Sequence, residues 1–277
     1  MKMQKYLVVG IVFCFIYLYP SSCLAILTML TEEAATLQQG NMEIEFGGSY
    51  FQLKDIPRGK IETNSSVGST VFSEKIKKDH IRAPLVGIRY GISRYAEFYI
   101  NWPAYIHQKD EIAGTQSDVG DVQVFTKLRL LREGKTTPAA SFQIGTKLPN
   151  TSNESGLGTN ETDFFSSVLF SKWVGKFTFH FNGGIAILSN PEMESRQKDR
   201  FIYGVGVVYH TLRTNIFAEV NRGLGIAPFE TPVVARAGLI YKIVSWSFDL
   251  GFSSKIKGIG EDWGIIAGAT YTFRIFE

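Results

Sequence analysis

The chain has 277 residues, 44% of them hydrophobic and 20% charged, and its 29 basic and 26 acidic side chains leave a formal net charge of +3. A surplus that small gives no basic face for nucleic acid. The two cysteines, Cys14 and Cys23, both lie in the first 25 residues, so removal of a leader leaves no thiol chemistry and no disulfide.

That leader is legible. Lys2 and Lys5 precede an apolar stretch from Tyr6 to Tyr19, Pro20-Ser21-Ser22 breaks it, and Cys23-Leu24-Ala25 offers small residues where a signal peptidase reads. A membrane anchor is the rival reading, and the stretch falls short of the roughly 20 residues that span a bilayer. Lipidation at Cys23 is a further rival, for which Pro20 is a poor fit. Residues 1–25 are therefore expected to be a cleaved signal peptide, 26–41 a short periplasmic segment, and 42–277 the folded domain. Within TEEAATLQQ, Thr31 is placed to cap one or two helical turns.

From residue 42 onward the pattern has a period of two. In Met42–Phe51 the residues Met42, Ile44, Phe46 and Tyr50 alternate with Glu43, Glu45, Gly47 and Ser49. Twelve such runs are expected as strands: 42–53, 80–92, 95–106, 120–132, 138–148, 163–174, 176–188, 200–210, 214–222, 231–243, 244–254 and 263–276. Connections alternate between very short (Ser93-Arg94, Gly175) and long and polar (54–79, 107–119, 149–162). Alternating ribbons with an even count and this loop asymmetry describe an all-β fold, a transmembrane antiparallel up-and-down β-barrel of about 12 strands. A soluble β-sandwich or lipocalin-like barrel is the competitor; it needs a polar exterior and rarely carries this many aromatics at strand ends.

The parity assigns faces. The lipid side takes Val86, Ile88 and Tyr90, Phe177, Phe179 and Phe181, and Trp246, Phe248, Leu250 and Phe252. The lumen takes Glu43, Glu45, Arg89, Glu97, Asp121, Lys127, Arg129, Lys147, His180, Glu219, Arg236, Lys242, Asp249 and Arg274, with the two signs nearly balanced. Strand 163–174 and positions Val234 and Ile240 do not alternate cleanly and receive no face. Gly204 and Gly206 are read as small lumen-facing positions.

No nucleophile elbow, zinc-hydrolase or phosphate-loop motif is present, so no catalytic residue, metal site or cofactor is assigned. His180 alone stands in a strand interior, and it reads as polar lumen filler rather than part of a serine hydrolase pair.

Three stretches carry a family resemblance: LTEEAATLQQGNMEIEFGGSYF (Leu30 to Phe51), YGISRYAEFYINW (Tyr90 to Trp102), and VGDVQVFTKLRLL with AASFQIGTKLPN, which supply Gly120, Asp121, Lys127, Lys147 and Pro149. Together they resemble the outer-membrane meta-pathway phenol-degradation family, with Asn150 departing from its usual pattern. The resemblance implies an outer-membrane barrel passing small hydrophobic or aromatic solutes. Its partners would be outer-membrane lipid, a small-molecule solute and, during biogenesis, the barrel-assembly machinery. The readings left open are a passive channel, a structural or surface-interaction barrel with an occluded lumen, and a lipid-active enzyme.

Overall fold

The computed structural model describes residues 29–56, 76–111, 114–189, 198–223, 232–258 and 260–275. The expected signal peptide and the middle of the first long loop, 57–75, lie outside the described residues.

Fourteen strands form one antiparallel sheet: β1 (Asn41–Ile56), β2 (Ile76–Ser93), β3 (Ala96–Pro103), β4 (Ile106–Asp110), β5 (Gly114–Asp118), β6 (Val122–Leu131), β7 (Ala139–Leu148), β8 (Asp163–Val174), β9 (Phe177–Leu188), β10 (Lys198–His210), β11 (Thr214–Arg222), β12 (Val233–Ile243), β13 (Trp246–Lys257) and β14 (Trp263–Arg274). β1 pairs with both β14 and β2, which closes the sheet, while β5 stands at the edge of a projecting hairpin. The wall is twelve-stranded, because β3 with β4 and β5 with β6 are each one strand interrupted near Pro103 and Val119–Asp121. β2 pairs with β3 over its second half and with β4 over its first. The stretch 107–119, expected as a loop, is thus largely a hairpin that prolongs the wall. Pro103, which has no N–H to donate, marks the interruption.

Outward positions form an apolar band: Phe177, Phe179 and Phe181 are 44%, 50% and 48% exposed, and Trp246, Phe248, Leu250 and Phe252 are similar. Only lipid makes such a band favourable. Burying it in a bilayer rather than leaving it in water identifies the barrel as a transmembrane one.

Inside, three phenylalanines each lie across a glycine directly opposite on the next strand. Phe51 faces Gly264, Phe125 faces Gly145, and Phe217 faces Gly238. A Cβ on Gly145 would stand 2.1 Å from the Phe125 ring, so the ring can lie flat on the wall only where that side chain is missing. Such aromatic-over-glycine pairs pin the register.

The segment before β1 turns inward. Residues 29–40 contain no helix, contrary to the turn expected from Thr31, and cross the interior of the barrel rather than standing outside it. A helix would satisfy its own N–H groups; here the wall does so instead. Leu30 and Thr31 N–H groups donate to the Glu219 carboxylate at 2.9 and 2.7 Å, Ala34 N–H to Ser171 Oγ at 2.8 Å, and Leu37 N–H to Glu97 Oε2 at 2.5 Å. Ser141 Oγ donates to the Ala34 carbonyl. Asn182, its amide turned to suit both groups, donates to the Glu32 carbonyl at 3.0 Å and accepts from the Glu32 N–H at 2.6 Å. A buried extended segment needs such partners for its backbone polar groups. The segment is a plug.

Candidate functional site

The plug rests on two apolar patches that polar alternation did not foresee. Met29 packs with Val208, Phe217 and Ile240, and Ala34 packs with Ala139 and Leu169. This answers the strand 163–174 and the positions Val234 and Ile240 left without a face. In β8 the inward side is Asp163, Phe165, Leu169 and Ser171; in β12, Val234 and Ile240 are 2% and 0% exposed and also point inward. They break the polar pattern because they touch the plug or the cavity, not water. Gly204 and Gly206 lie beneath the plug: a Cβ at either would approach Thr31 Oγ1 or Met29 Cε to 2.7 Å.

The expected lumen residues fall into groups. Glu43, Glu45, Glu97, Lys127, His180, Glu219, Arg236 and Asp249 are buried; Arg89, Asp121, Arg129, Lys147 and Lys242 are half-buried; Arg274 is exposed at the end of β14. Four charges meet at the plug. Lys127 Nζ lies 3.0 Å from Glu32 Oε2 and 2.9 Å from Glu97 Oε1, while Arg89 reaches Glu97 at 3.2 Å and Glu32 at 3.9 Å. Gln143 Nε2 donates to Glu32 Oε1 at 2.9 Å. Glu43 sits opposite Arg89 across β1 and β2. Burial disfavours the Glu32 carboxylate, but Lys127 and Arg89 outweigh it and hold its pKa at about 2. For Glu33 next to it, burial prevails over Lys127 and Lys242 and raises the pKa to about 7.

Toward the long loops a second group forms: Lys147 Nζ bridges Asp121 at 3.2 Å and Asp163 at 2.8 Å, and Asp121 Oδ1 accepts from the N–H groups of Asn150 and Thr151. Arg236 pairs with Glu261 of the last loop at 3.0 Å.

Between these levels lies a cavity of about 400 Å³. Met29, Leu30 and Glu32 form its floor, and Thr151, Leu157 and Glu261 belong to its loop-side end. Its side carries a run of rings, Tyr99 to Phe125 at 6.0 Å and Phe125 to Phe165 at 5.9 Å, joined by Phe51, Leu85 and Ile266. Charged and amide side chains, among them Asp121, Lys147, Arg236 and Gln123, line the rest of it, so apolar rings and polar groups share one concavity. The sequence reading missed Glu32, Phe125 and Phe165. Strict parity from Gln123 to Lys127 puts Phe125 inside, which is the signal that would have found it.

His180 is not alone either. Ser171, directly opposite on β8, places Oγ 2.8 Å from His180 Nδ1. The same hydroxyl accepts from the Ala34 N–H, and both side chains are buried under the plug. The pair fastens the plug to the wall, and a substrate has no access to it there. Among the described residues no cluster of three metal-ligating side chains occurs.

No protein-family model matches the chain, and no curated protein matches it. Solved structures do. An outer membrane channel from Pseudomonas putida F1 aligns over 88% of this chain and 100% of its own at 12% identity, with a TM-score of 0.61. The translocator domain of the autotransporter NalP from Neisseria meningitidis aligns over 86% and 90% at 9% identity, TM-score 0.46. The P. putida toluene transporter TodX aligns over 86% and 90% at 8% identity, TM-score 0.39. What the first of these likenesses establishes is the fold: a closed twelve-strand barrel of the outer-membrane kind.

Proposed function

We propose that the chain is an outer-membrane channel passing small apolar or aromatic solutes without an energy source, and that residues 29–40 are its closing element. The observation that carries this is the ring-lined cavity of about 400 Å³ held between the plug and the outer loops. Its volume suits a small ring compound, and its ring-bearing side offers stacking surface. The likeness to an outer membrane channel supports the same reading. Export would remove residues 1–25 and set the short turns on the periplasmic side. The Ser171–His180 pair reads as structural, since both side chains are buried under the plug and the Ser171 hydroxyl accepts from the Ala34 N–H.

A second reading keeps a specific observation in its favour. The plug is bonded to several wall strands and fills the middle of the lumen, as a purely structural barrel would require. Planar-bilayer recording on the whole protein separates the two. The channel reading expects discrete openings that become more frequent in Glu32→Gln, which removes the plug's charge contact with Lys127. Silence from both proteins, each shown to be folded, leaves the structural barrel.

A further inference from the structure

The short-turn rim carries a ring of cations. Arg94 lies in the β2–β3 turn, Arg132 and Lys135 in the β6–β7 turn, Lys176 in the β8–β9 turn and Arg213 in the β10–β11 turn, and all five are exposed. None of the five makes an ion pair among the described residues. The acid nearest them, Glu133, is taken by Lys172 at 3.2 Å and by the Trp173 N–H at 2.8 Å. Among the described residues the opposite rim pairs cations with carboxylates, as in Lys78–Asp110 at 3.1 Å and Lys255–Asp262 at 2.6 Å.

A second observation fixes the depth of the ring. Phe177 (44% exposed), Trp246 (44%) and Tyr271 (38%) stand at the same end of the wall and face outward. Aromatic side chains of this kind settle at the boundary between hydrocarbon and headgroups. Lys176 is the chain neighbour of Phe177, and Arg94, Arg132, Lys135 and Arg213 occupy the other short turns of the same rim. The cations therefore stand just beyond the aromatic belt, at the level where lipid phosphates lie. Even the turn without a cation fits this depth, since Val244 at its tip is 99% exposed and Leu212 of the neighbouring turn is 98% exposed. Aliphatic tips are tolerable where headgroups, not open water, surround them.

We propose that this rim is a binding surface for anionic phospholipids, with Arg94, Arg132, Lys135, Lys176 and Arg213 each engaging a headgroup phosphate of the adjoining leaflet. Guanidinium groups bind phosphate through paired N–H donors, and lysines do so as point charges. The surface is independent of whether the lumen conducts.

The test is lipid retention by the whole protein in nanodiscs of mixed phosphatidylglycerol and phosphatidylcholine. Native mass spectrometry should find phosphatidylglycerol enriched on the wild type over its share in the disc, with the enrichment falling as salt rises. Each cation changed to glutamine should weaken retention by about fivefold if it lies near the surface. The variant carrying all five changes should retain the two lipids in the disc ratio. Lys109→Gln, an exposed cation on the outer hairpin, should leave retention unchanged. Equal retention of the two lipids by wild type overturns the proposal without any variant. So does unchanged enrichment in Lys176→Gln/Arg213→Gln, a pair removed from solvent-exposed turns and expected to fold. Enrichment abolished by millimolar inorganic phosphate would show a free-anion site rather than a lipid surface, and would also overturn it.

Discussion

Glu32 on the plug and Lys127 on β6 stand 3.0 Å apart, with the Lys127 side chain only 1% exposed. A buried lysine is tolerable only when paired, and here one ammonium serves two carboxylates, Glu32 and Glu97. Lys127→Met leaves two buried acids facing each other with Arg89 as their remaining cation. Removing one partner of a buried pair costs about 3–5 kcal/mol. The loss should appear as a lower barrel melting temperature and as more frequent channel openings. Glu32→Gln combined with Lys127→Met should cost less than the two single changes added together, because the pair acts as a unit. Additive losses would mean the contact carries no coupling.

Gly204 and Gly206 hold the plug against β10 by having no side chain. Gly204→Leu puts carbon where Thr31 lies and should expel the plug without touching the outer surface of the barrel. The readout is labelling of Ala34→Cys by a maleimide in the folded protein. Labelling should be slow in the otherwise wild-type chain, where Ala34 is 0% exposed, and fast when Gly204→Leu is added. Equal rates would show that the plug has room to spare.

The ring over Gly145 couples the predictions for its two partners. Phe125→Ala removes a cavity wall and should cost about 3–5 kcal/mol of stability if the site does not collapse. Gly145→Val should also destabilise, by driving the ring off the wall. Phe125→Ala/Gly145→Val should be less harmful than the sum, since the valine then fills part of the vacated space. Thermal unfolding in detergent measures all three.

Acidity should act on the plug through its two glutamates in opposite directions. Glu33 is faced by Lys127, Lys242, Glu97 and Arg89, and its pKa in the seated plug is about 7 against an ordinary 4.5. The seated state therefore holds the extra proton; Glu33's contribution is fully present below pH 4.5 and is lost as the pH rises through 7. Glu32, held at about 2, contributes above pH 4.5 and loses that contribution only as the pH falls toward 2. Openings should become more frequent between pH 5 and 8, and Glu33→Gln should flatten that rise. A flat profile in the wild type counts against a titrating Glu33.

The wall was readable because strand parity is a local property: Glu43, Glu45 and Glu97 sit opposite Phe46 and Phe98 on the same strands, and lipid demands that separation. The interior was not readable to the same degree, because what an inward residue meets depends on distant chain. Phe165, Leu169 and Ile240 break the polar pattern in order to receive Met29, Ala34 and the cavity, and nothing next to them in sequence announces that. Thr31 offers the reverse case. Its local signal favours a helix cap, yet the Glu219 carboxylate captures its N–H across the barrel. Pro103 signals a break in the third strand, but the hairpin beyond it pairs through a composition that reads as loop.

The bonds from Leu30 and Thr31 to Glu219 span separations of 189 and 188 residues. The first part of the domain to be synthesised thus waits for one of the last before it can come to rest. Closing so long a loop has an entropic cost that grows only slowly with length, so the delay is one of order and not of energy. Until β11 is laid into the wall, the N–H groups of Leu30 and Thr31 lack their acceptor, although Leu37 and Ala34 already have theirs on β3 and β8. The stopper is therefore seated from its C-terminal end first.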